Sequence, residues 1–283
     1  MNAGTPTLSY VADAVRRYDR DRFLTALFAP AERREHLMAL YAFNLEIAKT
    51  REAVSEPVIG LMRLQWWRDA LAQIYESGQP PHHAVAEALA AAIATHRLDR
   101  AGFERLIEAR ERDLEDTTFA SLGELERYAE ETTAPLFGLG LAVLGVQDPD
   151  DEAIRKLSVG YALCGLVRAV PFLLRARRIV IPDDLIARHA VDLKALLALK
   201  PAAGLTAAVE TLCGRAGHLL AEGRAARPRR ARGDVPIMLN GRVAEHYLGR
   251  LRRAGYNPFD PELATRPAML AATLWLRAAF NRP

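Results

Sequence analysis

Metal or acid–base chemistry needs carboxylates, imidazoles or thiolates presented together, and this chain of 283 residues offers few such groupings. Glu52 and Glu56 are four apart, a spacing that puts two carboxylates on one helical face where they could share a divalent cation. Pro57 follows at once and Ser55 is placed to cap the next helix, so the pair is expected at a helix junction instead. From Ala153 to Pro182 there is no Asp or Glu, so no register shift of a few residues supplies a metal ligand there. Within that stretch Arg168 interrupts an apolar run. A guanidinium in such a place is costly unless it is paired or faces a polar cavity, which makes Arg168 the leading candidate for an anion contact. The structural alternative is an ion pair with Asp113 or Asp116. Arg175, Arg177 and Arg178 could hold phosphate, but three arginines after a hydrophobic helix also suit its negative end. His82 and His83 are merely adjacent, short of ligand spacing. Cys164 and Cys213 lie in apolar segments without a CxxC pattern, are read as core, and fit a reducing compartment. No metal site is expected.

Those groups sit in a chain built for a packed core: 50% of its residues are hydrophobic and 26% charged, which excludes wholesale disorder and low-complexity architectures. Lys and Arg number 38 against 35 Asp and Glu, too small an excess for a nucleic-acid-binding field. The first twenty residues lack the apolar run of a secretory signal, and Asp13 and Asp19 argue against an acid-poor presequence. Of the longest apolar stretches, Leu136 to Val146 is too short to span a bilayer, and Ser158 to Leu174 and Ala268 to Phe280 carry Arg168 and Arg277. The expectation is a cytoplasmic chain without a transmembrane helix.

Nearly every segment between Pro or Gly punctuation is rich in Ala, Leu, Arg and Glu with apolar residues three and four apart, the pattern of amphipathic helices. Leu37, Leu40, Tyr41 and Leu45 form one stripe of a helix over Pro30 to Thr50; Pro57 opens a second that ends near Gly78. Asp99 is a plausible N-cap for a helix from Arg100, and Ser121 with Glu124 makes a capping box for one through Thr132. Two very apolar helices follow, about Ala134 to Gly145 and Pro149 to Leu174, and belong at the centre; Pro171 is expected to kink the latter. Further helices are read from Leu205, from Gly241 and from Pro267, giving roughly ten to twelve. The arginine-rich, acid-free stretch Arg224 to Gly233 reads as an exposed basic loop. With no internal repeat or composition shift, one all-α domain over residues 1–283 is the simplest organisation.

Two segments, Tyr41 to Leu71 (YAFNLEIAKTREAVSEPVIGLMRLQWWRDAL) and Val159 to Pro182 (VGYALCGLVRAVPFLLRARRIVIP), together resemble the squalene/phytoene synthase family. The resemblance implies an isoprenoid synthase-type helical bundle around a central cavity. In that family two facing helices carry carboxylate pairs spaced by four, whose Mg²⁺ ions hold a prenyl diphosphate while an apolar, aromatic-lined cavity shelters the carbocation. Carried over, the first pair falls on Ala48 and Glu52 and the second on Ala169 and Leu173, so three of four expected acids are apolar. The polar residues the family places ahead of the second pair fall on Ala162 and Gly165, and Arg168 alone survives. Glu46, two residues before Ala48, is turned about 200° from that face and does not restore the pair. Phe23, Tyr41 and Phe43 occupy stretches where the family has cavity aromatics, while adjacent Trp66 and Trp67 cannot both face one pocket and are read as core. Phe23, Tyr41, Glu52 and Arg168 are therefore the ligand-binding candidates, with no catalytic residue assigned.

FNLEIA followed by SEPVIGLMRLQWW brings the chain nearer to a branch of that family, the assembly factors of respiratory complex I (NADH:ubiquinone oxidoreductase), in which the acidic motifs are degraded. This resemblance implies a pseudoenzyme without a cofactor, whose partners are complex I subunits or other assembly factors, with an isoprenoid or lipid as a further ligand. The alternatives are an active Mg²⁺-dependent transferase condensing two prenyl diphosphates head to head, and a lipid-binding carrier. Peripheral contact with an anionic inner membrane is a hypothesis for the basic loop and the last helix, with Trp275 and Arg277; closing the bundle is the preferred role of that helix.

Overall fold

A computed structural model describes residues 8–115, 117–146, 151–200, 202–227, 233–265, 267 and 269–279. Among them there are fourteen α-helices, two 3-10 turns and no strand. The helices are α1 (Tyr10–Tyr18), α2 (Arg20–Ala26), α3 (Ala31–Ala48), α4 (Pro57–Ser77), α5 (Ala84–His96), α6 (Arg100–Glu111), α7 (Leu122–Val143), α8 (Asp151–Arg175), α9 (Asp183–Arg188), α10 (Leu193–Leu197), α11 (Leu205–Ala226), α12 (Val235–Arg253), α13 (Pro261–Ala264) and α14 (Leu270–Ala279). They divide between two compact units, each discontinuous in sequence. One takes Met1–Glu115, Pro135–Asp148 and Gly233–Ile237; the other takes Asp116–Ala134, Pro149–Arg232 and Met238–Pro283.

The first unit is built on α3, with α1, α2, α4, α5 and α6 packed against it. Leu37 to Asn44 is buried without interruption, so α3 is a central helix covered on all sides, whereas the spacing of its leucines suggested a single stripe. The caps explain where its neighbours begin. Ser9 accepts the Ala12 N–H at the start of α1, Asp19 accepts the Arg22 N–H at the start of α2, and Asp99 accepts the Ala101 N–H at the start of α6. At α4 the cap is Glu56, without a side-chain bond, and not Ser55, because Pro57 occupies the first helical position and its missing N–H needs no partner.

Between α3 and α5, His36 Nδ1 and His96 Nε2 lie 2.7 Å apart, so one ring must donate and the other accept. Burial, followed by the neighbouring His36 and Arg33, lowers the His96 pKa below its ordinary value. The unfolded chain therefore takes up the proton first, near pH 6.5. This contribution to stability is complete above that pH and is lost as the pH falls through the lowered folded value. Urea midpoints should drop more between pH 7.5 and 5.5 in the wild type than in His96→Gln; equal drops would rule out this pair as the source.

The second unit centres on α8 and α11, whose backbones approach closely: a Cβ at Gly223 would stand 2.9 Å from the Ala153 carbonyl oxygen and 3.0 Å from the Leu157 nitrogen. Arg215 of α11 forks onto Glu126 of α7 with bonds of 2.7 and 2.9 Å. The α8 helix has the length and hydropathy to cross a membrane, with half of its most apolar window buried within the protein. Val159, Leu163, Val167 and Val170 on α8 are core residues, which accounts for its apolar composition. Both cysteines are buried and outside any disulfide, and burial pushes the Cys213 thiol up to about 12, where it is inert.

Two boundaries differ from those read along the sequence. The segments on either side of Thr133 form one helix, α7, which runs through Pro135; α8 runs through Pro171 to Arg175, one residue past the end read at Leu174. Proline forfeits one hydrogen bond, but tertiary burial of the flanking turns retains the helix. Second, α12 begins at Val235 rather than Gly241, and Arg224 is a residue of α11 paired with Glu245 rather than part of a loop. Residues 228–232 of the expected basic loop lie outside the described residues.

Candidate functional site

The aromatic-rich start of the first motif lies inside the first unit. Tyr41 is fully buried, with the Arg22 guanidinium 5.8 Å from its ring centre, and Phe23 beside that arginine is half-buried on α2. Phe43, equally buried, meets Trp67 and Phe103 edge-on at 5.1 and 5.4 Å. Trp67 is inside and Trp66 is 40% exposed, as two adjacent helical positions require. Tyr41, Phe43, Trp67 and Phe103 belong to the buried set of the unit.

The helix that carries them stops at Ala48. Buried Thr50 turns its hydroxyl back to the Glu46 carbonyl, and a 3-10 turn, Arg51–Ala53, follows. Ala48 and Glu52 are thus on different elements, and the four-residue spacing does not put them on one helical face. Glu52 is exposed. Its charged neighbour is Lys49, whose ammonium lies 3.1 Å from the Tyr18 ring centre; burial lowers the Lys49 pKa, with Glu52, Glu46 and Asp19 opposing the shift.

The second motif lines a pocket of the second unit. A cavity of about 560 Å³ is bounded by Gly165, Arg168, Ala169, Phe172 and Arg175 of α8, by Tyr247 of α12, and by the 258–264 segment with Phe259 and Leu263. The α8 residues recur at three and four, so a single helical stripe forms the wall. The Arg168 guanidinium lies over the Tyr247 ring, 3.3 Å from its centre, within reach of cation–π attraction. Asp113, offered above as its partner, pairs with Arg110 at 3.2 Å within the first unit, and Asp116 lies outside the described residues. The opposite wall is tied to α12 by Arg250, which donates to the Thr265 carbonyl and hydroxyl at 2.8 Å each and to the Glu262 carbonyl. Tyr247 and Arg250 escaped the sequence reading. Their one signal, Tyr247 four residues before buried Leu251, describes any core stripe.

The other arginines act differently from one another. Arg175 is exposed at the pocket rim, whereas Arg177 adopts a left-handed φ of 57° and, with Arg178, closes the α8 terminus by bonds to Leu174 and Leu173. His82 is exposed near Glu87, and His83 meets both tryptophans edge-on.

A model of the squalene/phytoene synthase family matches residues 15–273. The chain belongs to the squalene/phytoene synthase family. The rat protein named "NADH dehydrogenase (ubiquinone) complex I, assembly factor 6" is 32% identical over 96% of this chain and 82% of its own. A phytoene synthase of Rhodobacter capsulatus is 28% identical over 67% of this chain and 56% of its own. In three dimensions the squalene synthase HpnC of Alicyclobacillus acidocaldarius superposes with a TM-score of 0.75, at 23% identity, over 88% of this chain and 94% of that one. The helical fold is therefore that of the isoprenoid synthases.

Within this family the metal-binding carboxylates would face the substrate diphosphate, and the donor set here does not match them. Ala169 lines the pocket, Leu173 packs on the core, and α8 carries no acid beyond Glu152. Among the described residues no group of three or more His, Cys, Asp or Glu could hold a metal ion. The pocket itself has two arginines against one aspartate, Asp260, whose side chain caps α13.

Proposed function

We propose that this protein is a non-catalytic member of the squalene/phytoene synthase family that serves as an accessory factor in the assembly of respiratory complex I. One observation carries the reading: the pocket wall on α8 is alkyl and cationic where magnesium-dependent ionisation of a diphosphate needs paired carboxylates. No magnesium cofactor is part of the proposal. The assembly role is supported by relatives that carry that name over nearly the whole chain. Its partners are complex I subunits or other assembly factors, met on the cytoplasmic side of the inner membrane. Met269, Trp275 and Leu276 at α14 are at least half exposed, a composition suited to peripheral contact with that membrane.

Two measurements test this. Purified protein incubated with farnesyl or geranylgeranyl diphosphate and Mg²⁺ should release no diphosphate above a protein-free blank; metal-dependent turnover would establish the transferase instead. Deleting the gene should lower the amount of assembled complex I several-fold, and unchanged levels would remove the accessory role.

A further inference from the structure

We propose that the outer face of α4 docks an amphipathic helix of a partner protein, one that carries an apolar stripe with lysine or arginine beside it. The inference rests on the accessory reading for there being a partner, and gives that partner a surface and a chemistry.

An ordinary surface helix turns polar residues to the water, and a helix that is apolar all round is one that is covered. The first half of α4 is apolar on both faces. Gly60, Leu64, Trp67 and Leu71 are buried in the first unit, while Val58, Ile59, Leu61, Met62 and Trp66 are between 40 and 67% exposed. On an ideal helix these five positions fall within an arc of about 160°. They form a contiguous stripe rather than scattered exposure, and such a stripe marks an interaction surface. The charges around it select what covers it. Glu56 precedes the stripe, and Asp69 and Glu76, one and two heptads beyond Met62, continue its line along the helix. All three are exposed and, among the described residues, none is in an ion pair; Asp69 accepts the Gln65 amide at 2.8 Å. The arginines of the helix are engaged off the stripe, Arg68 with Glu111 at 2.7 Å and Arg63 with Glu46 at 3.5 Å. An apolar stripe with carboxylates at both ends is complementary to a helix that brings leucine-type side chains and cations. A second copy laid on the same face, in either direction, sets carboxylate toward carboxylate, and an anionic bilayer is repelled likewise.

The full-length protein is titrated calorimetrically with a synthetic Leu/Lys peptide of about five helical turns, its leucines spaced at three and four, and with the matched Leu/Glu peptide. The Leu/Lys peptide should bind roughly tenfold or more tightly than Leu/Glu. The formal net charge of the chain is +3, so general attraction does not favour the cationic peptide. Met62→Asp separates the two contributions. It adds a carboxylate, which would tighten a purely ionic contact, but it interrupts the apolar stripe and should weaken Leu/Lys binding about tenfold. Asp69→Lys should weaken it about threefold. Both positions are exposed, and circular dichroism of the variants should match the wild type. Absent binding of Leu/Lys, equal affinities for the two peptides, or Leu/Lys binding undiminished in Met62→Asp would overturn the proposal. So would a dimer in sedimentation velocity that Met62→Asp dissociates, which would assign the face to a second copy. Flotation with phosphatidylcholine/phosphatidylglycerol vesicles that the same substitution abolishes would assign it to a membrane and equally overturn it. The peptide titration reads the surface and the deletion strain reads the accessory role, so the two fail separately.

Discussion

Replacing Phe43 by alanine should destabilise the protein by about 3–5 kcal/mol, the range for emptying a buried phenylalanine site. Phe43 is fully buried and joins Trp67 of α4 to Phe103 of α6 through edge-on contacts. Its loss leaves a cavity at the meeting point of three helices, and each aromatic pair contributes beyond the area it buries. Trp66→Ala is the matched comparison, because Trp66 belongs to the same motif but is 40% exposed. It touches Trp67 and His83 edge-on, so its truncation should cost about 1–2 kcal/mol. Urea denaturation of both variants reads the difference. Equal losses would contradict the division of this motif into an inner and an outer ring, and a small loss for Phe43→Ala would favour a cavity-lining role.

Gly204→Ala should cost about 3 kcal/mol or more, a large effect for a single added methyl group. Gly204 precedes α11 with φ at 74°, and a Cβ there would stand 2.1 Å from the His189 carbonyl oxygen. Two penalties combine: left-handed backbone strain and a clash with main chain that cannot swing aside as a side chain would. The neighbouring bond from the Asp192 N–H to the Ala203 carbonyl, 3.1 Å, ties the same turn to the residues before α10 and leaves little room for adjustment. Gly78 separates the two penalties. It has φ at 71° but nothing within 4 Å of a Cβ, so Gly78→Ala should cost only about 1 kcal/mol. Similar melting temperatures for the two variants would mean that the close approach at His189 carries no weight.

Much of the fold was legible because helices announce themselves locally. The cap at Asp99, the start of α4 at Pro57 and its end before Gly78 depend on residues within a turn of the boundary, and all lie where the sequence placed them. Pro135 misled for the complementary reason. Proline's local penalty is real, but burial of the surrounding turns outweighs one lost hydrogen bond, and only the packed structure contains that term. The end of α3, read at Thr50, falls at Ala48, where buried Thr50 bonds back to the Glu46 carbonyl.

The candidate site divides along the same line. Composition alone established that the second motif has no carboxylate from Ala153 to Pro182, since a residue type that is missing from a segment is missing in every conformation. It also marked Arg168 as a cation that needed a partner. That it meets the ring of Tyr247 was decided by α8 meeting α12, a contact between positions remote in sequence that no helical period encodes. The burial of Tyr41 was decided the same way, by the helices that close over α3. The order of residues thus determined the helices and the chemistry they lack, because both are local properties. Tertiary packing decided which side chains meet and which wall of the pocket is charged, because those depend on how helices distant along the chain come together.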